Sequence, residues 1–222
     1  MPRIAAIFDL DRTLLAGTSG KLFFQYLRKT GQLWRYFRRR DLAVVAAAVG
    51  AYQLGLIDAT QAMQRSARVA AGIDVDEFWR LVQRWFAEMA VHAITRDGQA
   101  SVAWHRSQEH VPLICSASSQ FSVQPVADHL AIHHTIYTEW LASDGRLTGR
   151  VRLPVAYGAG KVHWVQRWAA EHGVDLARSY FYSDDHSDLP LLEKVAHPTA
   201  VNASPKLAKE AAARGWPLLA WT

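Results

Sequence analysis

The 222-residue sequence predicts an α/β protein: a doubly wound parallel sheet with an all-helical insertion after its first strand. Three observations carry this. The apolar run RIAAIF (3–8) ends on Asp9 and suits a central parallel strand. From residue 95 onward, short apolar runs alternate with helical patterns. Between these lies a block, roughly 18–93, in which only helical periodicity appears. The reading divides the chain into a core formed by 1–16 and 94–222 and a helical segment formed by 17–93.

The elements follow in order. Gly17 and Gly20 bracket a loop, and Lys21 to Lys29 predict a helix with Leu22, Phe23, Tyr26 and Leu27 on one face. Residues 41–57, 59–71 and 74–93 predict further helices, with Asp58 and Asp74 as N-caps. A helix over 97–109 precedes the strand VPLICS (111–116). A helix over 123–130 has Pro125 in its first turn. Residues 135–141 and 147–151 predict a hairpin around Ser143-Asp144-Gly145. A helix over 161–172, the strand SYFYS (179–183), a helix from Pro190, the strand HPTAV (197–201) and a helix from Pro205 to Arg214 complete the chain. There is no internal repeat and no low-complexity linker.

Half of the residues are hydrophobic and a fifth charged, a globular composition. The net charge of +5, from 25 Lys and Arg against 20 Asp and Glu, suits an anionic substrate without demanding one. No nucleic-acid module is recognisable, so nucleic acid is not an expected partner. The single cysteine, Cys115, excludes an internal disulfide and a Cys-rich zinc site. It agrees with a reducing cytoplasm, and the N-terminus has no apolar signal-peptide region. A cytoplasmic protein, monomeric or homodimeric, is the expectation. The longest apolar run, 42–57, falls short of the ~20 residues of a membrane span. It follows Arg35, Arg38, Arg39 and Arg40, interleaved with Trp34, Tyr36 and Phe37. That stretch reads either as a membrane-surface patch or as a solvated basic turn before a buried helix, and the second reading is preferred.

Chemistry concentrates at strand ends. Asp9-Leu10-Asp11-Arg12-Thr13 follows the first strand, at the sheet edge where open α/β folds bind ligands. Residues two apart in an extended segment point the same way, so Asp9 and Asp11 can face one phosphorus. One carboxylate could act as nucleophile and the other supply a proton to the leaving oxygen. A surface turn or a simple cation site would use the same residues. A second acidic cluster, Ser183-Asp184-Asp185-His186-Ser187-Asp188, follows another β-run. Asp9 and Asp184 with a backbone carbonyl would suffice for magnesium; alternatively, Asp188 or Ser187 only caps the helix near Pro190. Ser116, followed by Ala117 and Ser118, offers a hydroxyl and backbone N–H groups to a phosphate. Lys161, in YGAGKVHW, opens a helix after glycines and could neutralise phosphate or carboxylates. No P-loop pattern is present.

Taken in order, DLDRT, strand-Ser116, Lys161 and SDDHSD resemble the four motifs of the haloacid dehalogenase superfamily, over nearly the whole chain. DGRLTGRV, YSDDHSDLPLL and AVNASPKLAKEAAARGWPLL are similar to its phosphoserine-phosphatase-like branch (subfamily IB). The resemblance implies a Rossmann-like core with a small C1-type helical cap. It implies a Mg2+-dependent phosphatase acting on a small-molecule phosphomonoester through a phospho-aspartate. Asp9 would be nucleophile and metal ligand. Asp11 would be the general acid, then base, with its carbonyl on the metal. Thr13 would hold the motif loop, and Ser116, Ala117 and Lys161 would bind the phosphoryl group. Asp184 would be the second metal carboxylate, and Asp188 would orient Lys161 or a metal-bound water. Asp11 argues against dehalogenation, which lacks that acid.

The fourth motif departs from G-D-G-x-N-D through Asp185 and His186, of which His186 is expected in solvent. Phosphoserine phosphatases carry a cap glutamate that falls near Thr18 here, where 14–24 hold no acid. Specificity is expected from the cap, with Arg65 and Arg68 as contacts to an anionic substrate or a solvated pair. Of Trp34, Tyr36, Tyr52, Trp79, Trp85 and Phe86, most are expected in the core and one or two at the entrance. Histidinol phosphate is the first expected substrate, then phosphoserine and lysophosphatidate. A phosphotransferase and a non-catalytic binding module are the other classes considered; the intact acidic and lysine set argues against the latter.

Overall fold

The computed structural model describes residues 2–222, apart from the side chain of Gln53. Six parallel strands form one sheet, in the order β3 (His134–Ile136), β2 (Val111–Cys115), β1 (Ala5–Phe8), β6 (Tyr180–Ser183), β7 (His197–Val201) and β8 (Leu218–Leu219). The chain builds outward from β1 in one direction, then returns beside β1 and builds outward in the other. The carboxyl ends of β1, β2 and β6 therefore lie together where the winding reverses.

All four residues of β1 are buried. Their alternation serves two cores. Ala5 and Ile7 pack with Val165 and Trp168 of α8 (Ala159–His172) and Leu207 of α10 (Pro205–Arg214). Ala6 and Phe8 pack with Val102 of α6 (Arg96–Ser107) and Val123 and Val126 of α7 (Gln120–His129). Helices α1 (Ser19–Lys29), α2 (Leu33–Tyr36), α3 (Arg39–Gln53), α4 (Ala59–Arg68) and α5 (Val75–Glu88) lie between β1 and α6. All but α4 contribute to a third core built on Phe78, Leu81 and Trp85, and α4 packs Ala67 and Met63 in a smaller one with Val151 and Val155. The chain leaves and rejoins the sheet side by side, through the Leu15–Ile94 bridge and an Ala16 N–H to Ala93 carbonyl bond of 2.8 Å.

Asp58 and Asp74 cap α4 and α5 as expected, accepting from the N–H groups of Gln61 and Glu77 at 2.7 and 2.9 Å. Four expectations are corrected. First, 135–141 is not one arm of a hairpin. It divides into β3, which extends the parallel sheet, and β4 (Trp140–Ser143), which pairs with β5 (Arg146–Val151). The break falls at Thr138, whose buried hydroxyl accepts the Ala156 N–H at 3.1 Å. Second, Pro125 sits inside α7 rather than in its first turn, because the helix starts at Gln120. Third, α3 is not buried: Val44, Val49 and Tyr52 on it are exposed, since it forms a wall one helix thick. Fourth, the last helix before β7 is only a short turn, α9 (Leu189–Leu192).

Strand β5 also carries a long-range tie. Its outer edge pairs with the link between α4 and α5: Gly72 N–H to Leu147 carbonyl at 2.7 Å, Leu147 N–H to Ile73 carbonyl at 2.9 Å, and Val75 N–H to Gly145 carbonyl at 2.9 Å. Gly149 permits this approach. It has φ +72°, and a Cβ there would stand 2.9 Å from Ala71 Cβ.

Candidate active site

Asp9 follows β1, Ser116 follows β2 and Asp184 follows β6, so the sheet edge gathers the predicted residues. The Asp9 N–H bonds the Tyr182 carbonyl at 2.9 Å, which fixes the loop against β6. Asp9, Ser116, Lys161, Asp184 and Asp188 are all buried, while Asp11 is half-buried at the wall of a cavity.

Lys161 reaches this centre from the first turn of α8. Gly160 makes that possible: a Cβ there would lie 1.9 Å from the Val155 carbonyl oxygen, so no other residue lets the helix start this close. Lys161 Nζ donates to Asp9 Oδ1 at 2.9 Å and to Asp188 Oδ2 at 2.7 Å. Ser183 Oγ donates to the same Asp188 oxygen at 2.6 Å. Asp188 is thus committed to Lys161. It does not cap α9; capping in this loop falls to Asp185, which accepts from the Ser187 N–H at 2.9 Å. Burial disfavours the charge of Lys161, yet Asp188 and Asp9 overcome it and hold the ammonium well above its ordinary pKa.

The carboxylates are poised upward. Burial raises Asp9 despite Lys161, and Asp11 adds to the rise. Burial and the Asp9 charge push Asp184 to about 8, against Arg12. Burial holds Asp188 at about 6, again against Lys161. Burial also raises Asp11, although the Ser19 N–H bonds its Oδ1 at 2.7 Å and Ser118 Oγ its Oδ2 at 3.2 Å. Asp184 Oδ2 and Asp188 Oδ1 are buried without a hydrogen-bond donor. Arg12 Nε is close to the former, at 2.6 Å, but not aligned to donate to it. Among the described residues no three His, Cys, Asp or Glu side chains close on one point. The Asp9 and Asp184 carboxylates, with a backbone carbonyl and water, fit a hard divalent cation that would neutralise this excess negative charge.

Ser116 Oγ accepts the Ser118 N–H at 3.2 Å, and Ala117 and Ser118 line the cavity beside Asp11. Thr13 braces its loop through the backbone: its carbonyl accepts from Thr95 Oγ1 at 2.9 Å, while its own hydroxyl has no partner. Arg65 and Arg68 are exposed and do not line the cavity. Helical spacing turns Ala62, Met63, Ser66 and Val69 inward instead. Of the insert's aromatics, Trp85 lines the cavity and Trp34 is exposed. His186 is half-buried and off the cavity wall. Three contributors had not been singled out: Ser19 and Ser118 around Asp11, and Ser183 on Asp188. Only Ser183 carried a signal, its place beside Asp184 at a strand end.

Residues 6–193 match the family model described as haloacid dehalogenase-like hydrolase, and the chain belongs to that family. Its class is that of a phosphoric monoester hydrolase, a phosphatase. The chain is 32% identical over 222 residues to a histidinol-phosphatase of Neisseria meningitidis serogroup C, covering 96% of this chain and 97% of that one. A protein of unknown function from Bordetella pertussis superposes with a TM-score of 0.87 at 31% identity, each chain covered to 99%. A phosphoserine phosphatase solved as a phospho-aspartyl intermediate analogue shares the fold, with a TM-score of 0.69 at 15% identity over 99% of this chain and 94% of that one.

Proposed function

We propose that the protein hydrolyses a small-molecule phosphomonoester with Mg2+ through a phospho-aspartate on Asp9. The observation that carries this is the buried Asp9–Lys161–Asp188 triad at the sheet's reversal point, beside the Asp184 carboxylate, one oxygen of which is buried without a hydrogen-bond donor. Asp9 and Asp184, with the Asp11 carbonyl, would hold the magnesium, which when bound stabilises ionised carboxylates and developing phosphoryl charge. Asp9 attacks phosphorus and the bond from phosphorus to the ester oxygen breaks. Asp11, whose hold on a proton burial strengthens, gives its proton to that oxygen, so a neutral alcohol leaves. A water then loses its proton to Asp11 and attacks the acyl phosphate, releasing inorganic phosphate and Asp9. Lys161, Ser116 and the N–H groups after it hold the phosphoryl oxygens in place. The insert covers the cavity as a cap, and Asp188 positions Lys161.

The test combines phosphate release from a phosphomonoester panel with acid-quench trapping of a phospho-enzyme. Asp9→Asn should abolish both, with a cost of at least ~10^3-fold, and leave the circular dichroism unchanged. A chelator should abolish turnover and Mg2+ restore it. Unchanged turnover in Asp9→Asn would overturn the mechanism.

A further inference from the structure

The cavity that opens at Asp11 is large and oily. Its volume is about 780 Å³, and it runs between α1, α3, α4, α5 and the loop after β2. That lies within the ~300–1,000 Å³ of ligand pockets in general. Its far walls are Phe23, Leu27, Val45, Val82, Trp85 and Trp140. Of the serines and threonines on its lining, Ser19 and Ser118 engage Asp11, while Ser66, Ser122 and Thr138 come from α4, α7 and the segment after β3. Among the described lining residues, Asp11 alone has an ionisable side chain, and it is engaged by Ser19 and Ser118.

Aromatic contacts build part of the walls. Phe23 meets Phe78 and Trp85 edge to face at 5.8 and 5.6 Å, and Phe78 meets Phe121 at 4.7 Å. They do not collapse onto one another, so the cavity is not a packed core. Toward solvent, the wall residues Phe24 and Val49 remain over a third exposed. Arg38, Arg39 and Arg40 are exposed between the lining residues Phe37 and Leu42, which makes that part of the rim cationic.

A substrate alcohol bearing an ammonium, imidazole or carboxylate would lose water here and find no charged partner away from Asp11, only isolated hydroxyls and the Trp85 N–H in a wall that is otherwise apolar. We infer that the physiological substrate is the phosphomonoester of a long apolar alcohol, of acyl-chain or isoprenoid type. Its phosphate sits at Asp9 and its chain in the cavity of the insert. This rests on the phosphatase reading above.

The experiment measures kcat/KM with Mg2+ on ethyl, butyl, hexyl, octyl and decyl phosphate below their micelle concentrations, beside phosphoserine and histidinol phosphate. Farnesyl and monoacylglycerol phosphates separate the two sources of chain. Each added methylene should raise kcat/KM roughly threefold until the cavity fills, the gain expected for burying a CH2 group. Val45→Glu, on the wall away from Asp11, should lower the decyl-to-ethyl ratio at least tenfold, while far-ultraviolet circular dichroism reports that the variant folds. Calorimetry of Asp9→Asn with decyl and ethyl phosphate gives the same comparison without turnover. Hydrolysis with no chain-length preference, or with phosphoserine or histidinol phosphate preferred, overturns the inference and leaves the phosphatase reading standing. No hydrolysis of any ester by folded protein overturns both.

Discussion

Arg12 Nε lies 2.6 Å from Asp184 Oδ2, a cation of the protein's own beside the carboxylate proposed to bind metal. Arg12 holds a left-handed backbone, φ 55°, that aims it there, and its carbonyl accepts from Asn202 Nδ2 at 3.0 Å. The guanidinium is half exposed, so its field is screened. At an alkaline pH high enough to ionise Asp184 in both proteins, Arg12→Ala should lower the magnesium concentration for half-maximal activity by about two- to fivefold, the scale of an exposed pair. Magnesium activation curves give the answer, and weaker activation would count against competition between the two cations.

Asp184 should make magnesium binding release a proton. Its pKa of about 8 in the metal-free protein means that it is mostly protonated at pH 7 and must ionise to serve as a ligand. Apparent affinity should therefore rise with pH up to about 8 and level off above it. Titration calorimetry at pH 7 in buffers of different ionisation heat should detect about one proton released. A buffer-independent heat would rule this linkage out.

Asp11→Asn should discriminate leaving groups. The amide cannot protonate the ester oxygen, so an alkyl phosphate should lose at least ~10^2-fold in kcat/KM. An aryl phosphate with an acidic phenol needs no such proton and should lose far less in the same parameter. Equal losses on both would remove Asp11 from the role of general acid.

A pH effect on stability is expected from a histidine behind the strands that carry Asp9 and Asp184. His105 is fully buried, with Nε2 2.9 Å from the Tyr182 hydroxyl and Nδ1 2.8 Å from His110 Nδ1. Burial, then the neighbouring His110, pushes its pKa down to about 4 from 6.5. Between those values the unfolded chain binds the extra proton, so stability is full above about pH 6.5 and falls as pH drops toward 4. From pH 7 to pH 5 this histidine alone removes roughly 2 kcal/mol. His105→Gln should lessen the acid loss by about that amount in urea denaturation at the two pH values. An unchanged difference would show that His105 does not drive it.

Much of the site was legible because its chemistry sits where patterns change. Asp9, Ser116 and Asp184 each end an apolar β-run, and the sheet order β2-β1-β6 sets those three ends side by side with Asp9 in the middle. Ser19 and Ser118 were not legible, because Ser19 meets Asp11 through a backbone N–H that no pattern marks, and Ser118 meets it from 107 residues away through a hydroxyl of ordinary type. The division of 135–141 escaped for a similar reason: TIYTEWL reads as one continuous β-run, and only the buried Thr138 marks the break. The cavity was hidden most thoroughly. Leu42, Val45 and Val49 have the spacing of a core-facing stripe, and helical periodicity cannot tell a packed core from an empty space meant for a ligand.

The pairing of 72–75 along β5 alters what it would take to admit a bulky guest. A lid on two chain crossings could swing about Leu15 and Ile94 alone. Here the lid is stitched to the β4–β5 ribbon, itself rooted at Tyr137–Glu139 and Arg152–Val155. Tilting one drags the other, so the gate turns on four pivots rather than two. Stiffening the ribbon's roots, set apart from Asp9, Asp11, Asp184 and Asp188, should slow entry and exit without touching the bond-breaking step.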